Sequence, residues 1–282
     1  MIDAWGGANR DKAVVMGIVN VTPDSFSDGG RFVPVEDAVA HAQKLVADGA
    51  GIIDIGGEST RPGFVPVSAE EETSRVVPVL DALAGSIAIP ISIDTSKAVV
   101  ARQALVRGAS IVNDIWGLQG DPAMAGTVAE FGATVVIMHN RASKDGAIDI
   151  VDDMRRFFET SLAVAAWAGI SPAKTILDPG IGFGKTPAQQ LQALAAIPQL
   201  RALGFPILVG LSRKSFLGRL TKAPVAGRLT ETIAANLAAC SLGASLFRVH
   251  DVAEHVAALA VFAAICPPSE AAAWPPARSD PS

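Results

Sequence analysis

Short apolar runs rich in β-branched residues recur along this chain, and each one stops at a polar or glycine-rich cluster. With their endings they read Val14–Asn20, Ile52–Gly57, Ile91–Asp94, Ile111–Asp114, Thr134–His139, Thr175–Asp178, Ile207–Ser212 and Leu246–His250. Runs this short, without polar alternation, fit strands buried on both faces. Each gap between them is long enough for a helix. The pattern therefore predicts strand, helix, strand, helix through eight repeats: a single α/β domain folded as a (β/α)8 barrel. In such a barrel the C-terminal strand ends and the loops after them share one face, where active sites sit. The polar endings are the first place to look for chemistry.

Spacing and punctuation locate the helices. Ala38, Ala42, Leu45 and Val46 form a helical stripe closed by Gly49. Ser68 followed by Glu71 predicts a capping box at the start of the second helix. Val151, Met154, Phe158, Leu162 and Ala165 predict the fifth, ending near Gly169. The seventh connection, from Lys214 through Pro224 and Gly227 to Leu242, is long and interrupted, so a broken or extra helix is expected there. Thr22–Pro34 and Glu58–Pro66 are rich in Gly, Pro, Ser and Thr and predict long mobile loops after strands 1 and 2. Residues 1–13 read as an N-terminal extension, 14–266 as the barrel, and the proline-rich 267–282 as a disordered tail.

Length and charge narrow the possibilities. The 282 residues suit one barrel of about 250 residues and leave little for a second domain. A chain half apolar and 18% charged has the makings of a buried core. Its net charge of −5 gives no global reason to bind nucleic acid or an anionic membrane, so an anionic substrate would have to meet a local cluster of basic side chains. Cys240 and Cys266 lack metal-ligand spacing and read as reduced thiols of a soluble, cytoplasmic protein. Met1–Ala13 lacks the apolar core of a signal peptide, and Val256–Cys266 is far too short to span a membrane.

Lined up, the polar endings resemble the motifs of the dihydropteroate synthases over most of the chain, from about Val14 to Val261. Carrying the resemblance are Met16–Gly30 (MGIVNVTPDSFSDGG), Asp54–Gly63 (DIGGESTRPG), Ser92–Thr95 (SIDT), Asn113–Asp114, Leu177–Lys185 (LDPGIGFGK), Ser212–Phe216 (SRKSF) and Arg248–Asp251 (RVHD). The resemblance implies a TIM barrel, in agreement with the run pattern. It also implies a transferase of folate biosynthesis, which joins p-aminobenzoate to 6-hydroxymethyl-7,8-dihydropterin diphosphate. The products would be 7,8-dihydropteroate and diphosphate, and sulfonamides, which mimic p-aminobenzoate, would compete. A homodimer packed through barrel helices is implied as well.

The same resemblance assigns roles. The pterin would be held by Asp94, Asn113, Asp178 and Lys214, with Phe183 and Met138 lining the slot. Asp178 can accept from the amino group and ring N–H together, Asn113 offers a donor and an acceptor, and Lys214 can donate toward the ring carbonyl. The diphosphate would meet Thr60, Arg61, Arg248 and His250. Mg²⁺ would be held by Asn20 and by diphosphate oxygens, as suits a hard cation that keeps several waters. p-Aminobenzoate would lie between Phe26 and Pro62, with Ser212, Arg213 or Ser215 at its carboxylate. Asp94, Lys214 and Arg61 are the residues expected to act in the chemistry. If diphosphate leaves before the amine attacks, the pterin methylene becomes a delocalised cation. A carboxylate about 4 Å away, at an effective dielectric near 20, stabilises that cation by about 4 kcal/mol, roughly a thousandfold in rate.

Blander readings compete with these. Asp or Asn at a strand end often caps the next helix, and a histidine such as His250 is more often structural than catalytic. The loops after strands 1 and 2 could be solvated segments with incidental aromatics. What separates the readings is whether Asp94, Asn113, Asp178 and Lys214 converge. His41, His139 and His255 take the structural reading, with His139 close to the site. Gly184-Lys185-Thr186 ends like a P-loop, but Pro179 stands where the first glycine belongs. Trp116 is bulkier than is usual in the family and is expected to narrow the rim beside the pterin, and the segment Asn140–Ile150 is short. Two other functions are set against the synthase, and the motifs the sequence keeps favour the synthase. A methyl-transferring pterin barrel would share Asp94, Asn113 and Asp178 without needing Lys214, Arg248 and His250 together. A catalytically silent paralogue would lack part of the diphosphate cradle.

Overall fold

A computed structural model describes residues 13–22, 35–59 and 66–266. Its strands are β1 (Val14–Asn20), β2 (Ile52–Gly56), β3 (Ile91–Asp94), β4 (Ile111–Asp114), β5 (Thr134–Met138), β6 (Thr175–Asp178), β7 (Leu208–Val209) and β8 (Leu246–Val249). Neighbours pair in parallel in the order β6-β5-β4-β3-β2-β1-β8-β7. The cylinder closes between β6 and β7 through a single bridge, Leu177 to Ile207, with the Leu177 N–H donating to the Pro206 carbonyl at 3.0 Å. The chain forms the expected (β/α)8 barrel.

Alternation along each strand explains why apolar runs end in polar residues. One set of side chains, including Val19, Ile53, Ile55, Ile93, Val112, Ile137 and Phe247, belongs to the main core beneath the helices. The other set faces the barrel axis, where Met16, Ile52, Ile111, Val136, Ile176, Leu208 and Leu246 form a separate apolar plug. Two residues further along, this inward set turns polar, at Asp54, Asn113, Asp178 and Arg248, with Ser92 and Asp94 in register on β3. The outward set stays largely apolar because helices cover it; Asp114 at the end of β4 is the exception, its buried carboxylate taken up by backbone N–H groups of the next turn. The inward set needs to be apolar only as far as the plug.

The helices are α1 (Val35–Ala47), α2 (Ala69–Leu83), α3 (Ala98–Val106), α4 (Met124–Glu130), α5 (Ile150–Trp167), α6 (Pro187–Ala195), α7 (Ile197–Arg201), α8 (Ser215–Thr221), α9 (Leu229–Ser241) and α10 (Val252–Ile265). α1 buries Ala38, Ala42 and Leu45, leaves Val46 half-buried, and is followed by Gly49. Gly17 lets α1 and α10 press onto β1: a Cβ there would sit 3.0 Å from Leu45 and 3.2 Å from Val252. At α2 only half of the expected capping box forms. Ser68 Oγ accepts the Glu71 N–H at 3.1 Å, but the Glu71 carboxylate turns to Arg75. The complete box belongs to α6, between Thr186 and Gln189. The seventh connection holds α8 and α9 with a short 3-10 turn, Val225–Gly227, between them, as its interruptions predict.

Four strands stop short of the runs that announced them. β2 ends at Gly56, β5 at Met138 and β8 at Val249. β7 keeps only Leu208–Val209; Ile207, ahead of it, makes an isolated bridge to Leu177 and accepts the Ser245 and Leu246 N–H groups. Beyond these points the residues serve turns and side-chain bonds, and a run of apolar letters does not mark where a ladder loses its partner. Among the described residues no helix is long and apolar enough to cross a membrane.

Candidate active site

Asp54 on β2 is fully buried, and Arg248 on β8 donates to it through Nε at 2.6 Å. The same guanidinium donates through Nη2 to Asp94, the last residue of β3, also at 2.6 Å. Asn113 on β4 donates its Nδ2 to Asp54 at 3.3 Å, which fixes the orientation of its amide. Four inward positions on four strands thus join in one network at the floor of a cup. Asp54 is absent from the set the motifs suggested. The signal that could have found it is alternation: it lies two residues after Ile52 in the plug, on the face that Arg248 shares.

The opposite wall is built by the turn after β6 and the segment after β7. Asp178 Oδ1 accepts the Gly180 N–H at 2.7 Å. Gly180 has φ +63°, and a Cβ there would lie 1.9 Å from the His139 carbonyl oxygen, so only glycine permits the turn. Lys214 Nζ donates to the Ile181 carbonyl at 2.5 Å and stands 4.3 Å above the Phe183 ring. Met138, beside Asp178 across the β5–β6 ladder, is buried yet belongs to neither apolar cluster.

Burial dominates the ionisation of these groups. It raises Asp94 to about 7 against the pull of Arg248, with Asp54 adding to the rise. It raises Asp178 to about 6, opposed by the Gly180 N–H and Lys214. It lowers Lys214 to about 8, with Asp178 opposing. Burial also works against the Arg248 charge, but Asp54 and Asp94 outweigh it and hold that group above its ordinary value. Near neutral pH the cup therefore presents a carboxylate at Asp178 and an ammonium at Lys214, with Asp94 held against the Arg248 guanidinium.

The remaining expected residues are placed unevenly. Asn20 ends β1, half-buried and in register with Gly56, which is itself in register with Asp94. Ser212 Oγ lies 2.8 Å from His250 Nδ1 and accepts the His250 N–H at 3.2 Å. Arg213, with φ 56°, gives its guanidinium to Asp251 at 2.6 Å, and Ser215 is exposed at the start of α8. Ser212 and Arg213 are thus engaged within the protein in this state. Phe26, Thr60, Arg61 and Pro62 lie outside the described residues, as do most of both predicted loops, the tail, and the extension before Ala13.

His139 is fully buried, with Nε2 3.1 Å from Asp153; burial, helped by Lys185, pulls it down to about 3 and keeps it neutral. His255 Nδ1 lies 2.6 Å from the Asp251 carbonyl on α10's own first turn. Trp116 is half-buried against Gly120, and Asp114 anchors its turn by accepting the Trp116 and Leu118 N–H groups. Among the described residues no group of three His, Cys, Asp or Glu could hold a metal ion.

The chain matches the family model described as pterin binding enzyme over residues 16–250. It is 46% identical to the dihydropteroate synthase of Bacillus subtilis over 243 residues, which cover 86% of this chain and 85% of that protein. Its fold superposes on the dihydropteroate synthase of Clostridium difficile solved with pteroic acid, at a TM-score of 0.87 and 45% identity, covering 90% of this chain and 97% of that one. It superposes equally on the Xanthomonas albilineans enzyme solved with 4-aminobenzoic acid, at a TM-score of 0.88 and 45% identity, covering 92% and 95%.

Proposed function

The chain belongs to the pterin-binding enzyme family, among its dihydropteroate synthases, and we propose that the cup at its strand ends grips the pterin while p-aminobenzoate replaces diphosphate. It is a transferase of folate biosynthesis. The observation that carries the residue-level reading is the gathering of Asp94, Asn113 and Arg248 with Asp178 and Lys214 on one face of the barrel.

In this reading Asp178 accepts from the pterin amino group and ring N–H, and Lys214 donates toward the ring carbonyl. Asn113, its amide fixed by Asp54, meets the heterocycle in one orientation only. The bond from the pterin methylene to the diphosphate oxygen breaks with its electron pair on oxygen. The arylamine nitrogen then bonds to that carbon and loses a proton. Asp94 stabilises the cation between those events. Without substrate its charge is matched by Arg248, so its full effect requires the guanidinium to turn toward the arriving diphosphate, beside His250. Asn20 suits a hard cation that keeps its waters, and Mg²⁺ held there would neutralise diphosphate oxygens. p-Aminobenzoate lies between Phe26 and Pro62, where sulfonamides compete, with Ser212, Arg213 or Ser215 at its carboxylate.

Two wider assignments join this reading. Cys240 and Cys266 are both free thiols, in keeping with a reducing cytoplasm. An apolar groove of about 320 Å³ between α6, α8 and α9, with Leu191 and Leu220 exposed at its edge, suits a second copy of the chain and a homodimer.

Purified protein mixed with the pterin diphosphate, p-aminobenzoate and Mg²⁺ should form dihydropteroate, and absence of product would remove the reading. Asp94→Asn should bind pteroic acid within a few fold of wild type by titration calorimetry while turnover drops on the order of a thousandfold. Unchanged turnover would strip Asp94 of its electrostatic role.

A further inference from the structure

Lys185 has no exposed surface, and its Nζ donates to three backbone carbonyls: Gly180 at 2.9 Å, Phe183 at 3.2 Å and His139 at 3.3 Å. An ammonium has three N–H donors, so this arrangement uses all of them. Three carbonyl dipoles that converge on one point repel each other, and a three-donor cation reconciles them. The segments it joins carry the pterin grip. The Gly180 N–H binds Asp178, the Ile181 carbonyl receives Lys214, and the Phe183 ring lies under the Lys214 ammonium. His139 begins the connection after β5, against which the Gly180 turn is packed too tightly for a Cβ.

We propose that Lys185 is a positioning residue for the pterin site, tying the connection after β5 to the turn after β6 and so fixing both Asp178 and Lys214. The proposal rests on the reading that this cup holds the pterin. The charged groups facing Nζ are Asp178 on β6, Asp153 on α5, Arg141 after β5 and Lys214 after β7. Burial pulls Lys185 down to about 7, with Asp178 and Asp153 resisting and the two cations adding to the fall. Once neutral, the amine keeps two N–H groups, and one of the three carbonyls loses its partner.

Lys185→Met and Lys185→Gln, assayed beside wild type for both substrates, test the idea. In the Met variant the KM for pterin diphosphate and the Kd for pteroic acid should rise roughly tenfold or more, while the KM for p-aminobenzoate stays within about threefold. The Gln variant, which keeps an N–H pair, should fall between. A lower melting temperature with both KM values unchanged makes Lys185 a packing residue and overturns the proposal. If neither variant folds, lysine-ammonium NMR on wild type decides, read from about pH 6 to about pH 9 beside pteroic acid affinity. Affinity that falls with the Lys185 ammonium signal, separately from the titrations of Lys214 and Asp94, supports the proposal. Affinity that is flat through the Lys185 titration overturns it. A wild type that makes no dihydropteroate sinks the underlying reading as well, which distinguishes the two failures.

Discussion

In the unfolded chain Asp178 ionises near 3.8, and in the folded protein burial raises that to about 6. A carboxyl raised in this way contributes stability that is fully present below its unfolded value and is lost as pH climbs through the folded one. Above about 6 the folded chain therefore carries the cost of a buried charge. Asp178→Asn keeps an acceptor for the Gly180 N–H and removes that charge. It should melt a few degrees higher at about pH 8 yet bind pteroic acid at least tenfold more weakly. A variant that melts lower would show that Lys214 makes the carboxylate a net stabiliser. The residues legible in the sequence, Asp94, Asn113, Asp178, Lys214 and Arg248, are those at or next to strand ends or in the connections after them. Asp54 and Lys185 escaped because what they do is hold other parts of the protein in place, Arg248 and Asn113 in one case and three backbone carbonyls in the other. The Asp54–Arg248 bond joins positions 194 apart, and no local spacing encodes such a pair.

Strand identity was readable because burial on both faces writes a continuous apolar run, whereas strand ends depend on neighbours. Thus Ile207, just ahead of β7, and His139, just past the end of β5, look like strand residues in isolation, yet neither belongs to a ladder. The broken connection after β7 was equally plain from Pro224 and Gly227. What the pattern does not disclose is which helix faces remain uncovered once the barrel is built. Leu220 on α8 and Leu191 on α6 are 64% and 46% exposed beside the alanines of α9, where apolar letters would ordinarily mean core. For the proposed homodimer, Leu220→Glu should give a monomer by light scattering without changing helix content. A wild type already monomeric at micromolar concentration would dispose of the dimer.

The barrel as a whole is unevenly fastened. From β6 round through β1 to β7 its strands share continuous ladders, but β6 and β7 meet at one bridge. Asp178 stands on one side of that seam and Lys214 on the other. A heterocycle held by both would act as the buckle of a belt otherwise closed by one rivet. Pteroic acid should slow amide hydrogen exchange at Leu208 and Val209 more than at Val112 on the fully laced side. Equal slowing at both places would mean that the substrate merely occupies the cup. If the buckle holds, this enzyme completes its own cylinder only when loaded.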